Sequence, residues 1–198
     1  MALLTNSLLI LTIYPMTPDT TKNKALFFDR DGIINRRIIG GYVTTIEDFS
    51  FIPDFFTVFA YAILKNYIPI VITNQQGIGK GIMTVHQLRA IHAHMQATLH
   101  KITGHTFDDI RFCASLAQDN DPRRKPNPGM ITESIHQWNI DPAASWMIGD
   151  SESDIIAAQA AGVRTIFIGQ PQDLTRVTPD HIFASMTELN DNLHRIIE

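Results

Sequence analysis

The chain has 198 residues, 44% hydrophobic and 18% charged, with a net charge of −4 from 16 basic and 20 acidic side chains. This suits one well-filled α/β domain and excludes a disordered chain, while the acidic balance argues against a broad nucleic-acid or anionic-membrane footprint. The single cysteine, Cys113, excludes an intrachain disulfide, so a reducing cytoplasm is the expected setting.

Residues 1–21 differ from the rest. Leu8 to Tyr14 is apolar but too short to span a bilayer, and no Lys or Arg precedes it as the basic start of a signal peptide requires. Met16 then begins a polar stretch. Residues 1–21 are therefore expected to form a loosely attached tail, or to lie upstream of a natural start at Met16, with one folded domain over 22–198.

Ala25 to Phe28 reads as a short buried strand, followed by a turn at Gly32 and an irregular stretch to about Ser50. Pro53 and Asp54 open a helix through Lys65, and Ile68 to Thr73 is an apolar strand covered on both faces. The loop NQQGIGKG leads to a long helix whose start is marked by Thr84 and Gln87, a capping-box pair. Leu88, Ile91, Met95 and Leu99 form its core stripe, and the histidines around them (His86, His92, His94, His100, His105) read as a solvated face. Ile110 to Cys113 is a third strand, Asn127 and Pro128 cap and start a helix, and Trp146 to Ile148 is a fourth strand. A helix through Ala161 ends at Gly162, Val163 to Ile168 is a fifth strand, and Ser185 with Glu188 caps a last helix.

Strands alternating with helices imply a mostly parallel sheet of about five strands with helices on both faces, and ligands outside the carboxyl ends of the strands. Those ends carry Asp29 and Asp31, Thr73 and Asn74, and Asp150. Such a carboxylate set suits Mg²⁺, which takes a few protein oxygens and bridges to phosphate. One carboxylate can attack phosphorus, and a second, two residues on, can pass protons to the leaving oxygen and from water. A Thr hydroxyl and a Lys ammonium can hold the transferring oxygens.

The motifs FFDRDG, VITN, RRKPNPG and MIGDSESD occur in the order found in the haloacid dehalogenase superfamily of phosphatases, and the chain resembles that family from Asp29 to Asp154. DRDGIIN, GGYV, TNQQGIGKG and RKPNPGM resemble the branch of heptose 1,7-bisphosphate and histidinol-phosphate phosphatases. The resemblance implies a three-layer Rossmann-like fold, Mg²⁺, and a small phosphorylated metabolite as substrate. It implies Asp29 as nucleophile and metal ligand, and Asp31 as acid/base with its backbone carbonyl on the metal. Thr73 and Lys125 would hold the phosphoryl, Asp150 would be the third metal ligand with Asp154 in support, and Asn74, Gln75 and Arg124 would meet substrate. Neither Asp31–Thr73 nor Thr73–Lys125 has room for a cap domain, so the site should be open, with specificity carried by loops around 36–43, 75–80 and 114–124.

Many members of the branch carry a zinc loop before the lysine motif. Here only Cys113 fits, with Ser115, Asp121 and Arg123 where further ligands would stand, so no structural zinc is expected. GIGKG lacks the spacing of a nucleotide P-loop. A monomer or weak homo-oligomer acting on a free metabolite is expected, without nucleic acid or membrane. Two other classes remain in view: a receiver-like phospho-accepting signalling domain, and a binding protein that kept the fold without the activity.

Overall fold

The computed structural model describes residues 21–197, so the expected tail lies outside the described residues except for Thr21. Six strands form one parallel sheet: β1 (Lys24–Phe28), β2 (Tyr67–Asn74), β3 (Asp109–Cys113), β4 (Trp146–Gly149), β5 (Arg164–Ile168) and β6 (His181–Phe183). Their order is β3-β2-β1-β4-β5-β6. The chain runs outward from β1 through β2 to β3, then returns to the other side of β1 with β4. The topological switch point therefore lies between β1 and β4, where open α/β sheets place their ligands. A receiver-type sheet has the order 2-1-3-4-5, with β3 beside β1. Here β4 takes that place, and the signalling-domain reading is dropped.

Alternate residues of β1 face opposite layers, as period-two side chains must. Leu26 and Phe28 pack with α1 (Phe55–Leu64), α3 (Val85–Thr103) and α6 (Met186–Ile196), through Phe55, Leu88 and Leu189 among others. Ala25 and Phe27 pack on the other face with α4 (Gly129–Gln137) and α5 (Glu152–Ala160), through Met130, Ile131, Ala157 and Ala158. Between β1 and α1, residues 36–50 form a flap whose two ends are pinned together. Arg36 N donates to Ser50 O at 2.8 Å and Ile52 N to Ile34 O at 2.9 Å. Among the described residues no helix is long and apolar enough to cross a membrane.

Four details differ from the sequence reading. The sheet has a sixth strand, β6, whose three residues are too few to show a period. Part of NQQGIGKG is a helical turn, α2 (Gln76–Gly79). Helix α4 begins at Gly129 without a side-chain cap, because the Asn127 amide donates instead to Asp121 O at 2.8 Å. The capping pair of α6 is half-formed: Ser185 Oγ accepts the Glu188 N–H, while the Glu188 carboxylate takes the N–H of Ala184, one residue early.

Candidate active site

Asp29 follows β1 directly and is tied to the neighbouring strand by its N–H, which donates to Ile148 O at 3.0 Å. This places it at the switch point, 6% exposed. Asp150 and Asp154 come from the β4–α5 junction, and ligand oxygens of Asp29, Asp150 and Asp154 lie within 4.8 Å of one another. Gly149 makes that approach possible, since a Cβ there would sit 2.3 Å from the Asp154 Cβ. Asp154 has two duties. One oxygen caps α5 by accepting from Ser151 N at 3.0 Å and Ser151 Oγ at 2.7 Å, while Oδ1 pairs with Lys125 Nζ at 2.6 Å.

Lys125 is 3% exposed. Its ammonium donates to Asp29 Oδ1 and to Ile72 O, each at 2.7 Å, and forms an ion pair with Asp154 Oδ1 at 2.6 Å. Burial works against its charge, but the two carboxylates hold its pKa above the ordinary value. The Asn74 amide grips the lysine's backbone, donating to Lys125 O at 2.9 Å and accepting from Lys125 N at 3.1 Å. Gln75 Nε2 donates both to Thr73 Oγ1 at 2.9 Å and to Asp31 Oδ2 at 3.0 Å. Since Thr73 Oγ1 accepts there, its own O–H is free to donate elsewhere.

The Asp31 side chain stands apart from the acidic cluster. Oδ1 accepts from Arg30 and from Asn35 Nδ2 at 2.9 Å, and Oδ2 from Arg30 Nη2 at 2.8 Å and from Gln75. Burial would raise its pKa, but Arg30 and these hydrogen bonds outweigh that and hold it below the usual carboxylate range. The cluster behaves oppositely. Burial, with the like charges around it, pushes Asp29 to about 6 and Asp150 to about 8, against Lys125 and Arg37. The three carboxylates are paired with two cationic side chains, Lys125 and Arg37. A hard, oxygen-only donor set of this kind fits a divalent cation that keeps part of its water.

These groups open onto one cleft of about 470 Å³, lined also by Arg124, Gln76 and the flap residues Arg37 and Tyr42. Residues 122–189 match the HAD-hydrolase-like family model. A D-glycero-α-D-manno-heptose-1,7-bisphosphate 7-phosphatase of Burkholderia mallei is 39% identical over 163 residues, covering 79% of this chain and 85% of the relative. The chain belongs to the haloacid dehalogenase (HAD) family of phosphatases. A D-glycero-β-D-manno-heptose-1,7-bisphosphate 7-phosphatase of Helicobacter pylori is 40% identical over 142 residues, covering 72% of this chain and 81% of the relative. Two solved structures share the fold at a TM-score of 0.75. One is D,D-heptose 1,7-bisphosphate phosphatase from B. bronchiseptica, complexed with magnesium and phosphate, at 24% identity over 87% of this chain and 98% of that one. The other is a HAD-like phosphatase of Mesorhizobium loti at 27% identity, over 87% and 85%.

In this HAD phosphatase the structure brings Asp29, Asp31, Thr73, Asn74, Gln75, Arg124, Lys125 and Asp154 to one cleft, and Asp150 joins them through the acidic cluster. Three neighbours escaped the sequence reading. Arg30 is 1% exposed and forks onto Asp31. Arg37 reaches from the flap to Asp150 Oδ1 at 3.0 Å. His92 is a correction: it is buried, not solvated, with Nε2 3.3 Å from Arg30 Nη1. It lies four residues after Leu88 and three before Met95, inside the core stripe, and that spacing is the signal that could have found it. The loop after β3 is organised by Asp121, which accepts from Ser115 Oγ at 2.5 Å, Cys113 Sγ at 3.5 Å and Arg123 N at 2.8 Å.

Proposed function

We propose that the protein is a Mg²⁺-dependent phosphatase that removes a phosphate from a small phosphorylated sugar through an aspartyl-phosphate on Asp29. The substrate that the relatives' names favour is D-glycero-D-manno-heptose 1,7-bisphosphate, cleaved at its 7-phosphate. The observation that carries the reading is the pairing of Asp29 and Asp31 at one strand end: one faces the acidic cluster and Lys125, the other is held separately by Arg30, Asn35 and Gln75. Two carboxylates with different surroundings suit two different tasks.

In this scheme Asp31, which Arg30 holds ionised in the free protein, first takes up a proton from the entering phosphate monoester. An Asp29 oxygen then attacks phosphorus, and the bond from phosphorus to the sugar oxygen breaks as Asp31 gives that oxygen the proton. Asp31 then takes a proton from water, whose oxygen attacks phosphorus. The Asp29–phosphorus bond breaks and inorganic phosphate leaves. Lys125 stabilises charge on the phosphoryl, and the Thr73 hydroxyl donates to one of its oxygens. Asn74 keeps Lys125 in place through both backbone bonds. Gln75 links Thr73 to Asp31, and Arg124 is the proposed contact for a further anionic or hydroxyl group of the substrate. Asp29, Asp150 and the Asp31 backbone, with Asp154 in support, would hold Mg²⁺, which would supply positive charge to the phosphoryl oxygens. The proposed enzyme is cytoplasmic and acts as a monomer or weak homo-oligomer on a free metabolite, not on nucleic acid or membrane.

The test is phosphate release from the α and β heptose bisphosphates, histidinol phosphate and simple phosphate esters, compared by kcat/KM. A preference for a heptose bisphosphate is expected, and the favoured anomer settles which of the two named relatives it follows. Activity should vanish on chelation and in Asp29→Asn. Undiminished turnover by that variant would overturn the mechanism; a preference for histidinol phosphate would overturn the substrate.

A further inference from the structure

Among the described residues, the largest fully buried side chain is a cation that no step above uses. Arg30 lies between the two reacting carboxylates in sequence, and it is 1% exposed. Burying a guanidinium is costly unless its partners are well placed. Its Nη2 reaches both oxygens of Asp31, at 2.9 and 2.8 Å, and Nε reaches Oδ1 at 3.3 Å. On the far side Nη1 meets His92 Nε2 at 3.3 Å. Arginine can only donate, so His92 accepts through Nε2; its ring is neutral, with the proton on Nδ1. Helix α3 thus supports the guanidinium from behind while its front fixes the plane of the Asp31 carboxylate. Asn35 and Gln75 complete the hold, one on each oxygen.

We propose that Arg30, backed by His92, is a positioning residue that aims the Asp31 carboxylate at the leaving oxygen and at the attacking water. The inference rests on the phosphatase reading above. It has a signature that a merely structural role lacks. A misaimed Asp31 delivers its proton poorly, which matters for an alkyl phosphate, whose leaving oxygen needs the proton. It matters far less for p-nitrophenyl phosphate, whose leaving group departs unprotonated.

The experiment compares Arg30→Met, His92→Leu and His92→Gln, loaded with Mg²⁺, on a sugar phosphate and on p-nitrophenyl phosphate. Arg30→Met should lower kcat/KM, which reports the step that expels the leaving group and not the later water attack, by about 10²-fold on the sugar phosphate. The loss in kcat/KM on the aryl ester should be much smaller, with calorimetric Mg²⁺ affinity unchanged. His92→Leu should cost about tenfold on the sugar phosphate, and His92→Gln, which keeps an acceptor, should recover most of it. Equal losses on both esters would overturn the proposal. So would a raised KM at normal kcat, which marks a direct phosphate contact. If Arg30→Met does not fold, the His92 pair decides, and equal behaviour of Leu and Gln refutes the role. A wild-type protein that hydrolyses neither ester refutes the phosphatase reading instead.

Discussion

Gly32 has φ +104°, and a Cβ there would lie 1.9 Å from Asp150 Oδ2. Gly32→Ala therefore strains the backbone and pushes a carboxylate of the acidic cluster at once. A loss of about 1–3 kcal/mol in stability is expected, with weaker Mg²⁺ binding; denaturation and calorimetry measure the two, and wild-type affinity in the folded variant would count against this role. His92 gives a pH prediction. Burial, helped by the Arg30 charge and opposed by Asp31, lowers it from 6.5 to about 3. The unfolded chain takes up the proton first, so this contribution is intact above pH 6.5 and is lost as pH falls towards 3. The slope is about 1.4 kcal/mol per pH unit for one proton. Urea denaturation at several pH values should show a flatter acid limb for His92→Gln than for wild type. Asp29, Asp31, Thr73, Lys125 and Asp150 were legible because each ends a strand or stands in a motif whose order carries meaning. Arg30, His92 and Arg37 were not, because their roles come from contacts across the fold: His92 meets a residue 62 positions away, and Arg37 one 113 away.

Helix α3 shows how far local chemistry alone can be read. Thr84 Oγ1 accepts from Gln87 N at 3.2 Å, and Gln87 Oε1 accepts from Thr84 N at 2.8 Å, the reciprocal pair that the spacing implied. Thr84→Ala should cost about 1 kcal/mol and leave kcat unchanged, because the cap is exposed and makes no contact with the cleft-lining carboxylates. Thermal unfolding and a phosphatase assay check both halves. The same logic failed at α4 and α6, where Asn127 and Glu188 found other backbone partners nearby. A capping residue competes among several unpaired groups, and composition does not say which one wins. Strand β6 failed for a different reason. His181–Phe183 is held by pairing with Ile166, Phe167 and Ile168, a tertiary contact with no local period.

At the scale of the molecule, alternating strands and helices implied a parallel sheet but not which strand lies beside β1. That neighbour decides the function class, because placing β4 there brings Asp150 and Asp154 to Asp29. Residues 1–15 lie outside this architecture's described part; their removal is expected to leave unfolding midpoint and activity unaltered, and a marked loss of either would reveal a structural role. The Arg37–Asp150 ion pair joins the flap to the acidic cluster, and on the proposed function it sets a competition. The guanidinium and a cation held by the cluster would compete for the charge of Asp150, so Arg37 would act as an internal antagonist of the metal. The pair is half-exposed on the arginine side, so the antagonism is modest, about 1 kcal/mol or less. Arg37→Gln should tighten Mg²⁺ binding up to about fivefold at low salt, a gain that shrinks as added salt screens the wild-type pair. On the proposed function, a metal that drew Asp150 away from Arg37 would also loosen one tie between the flap and the wall of the cleft.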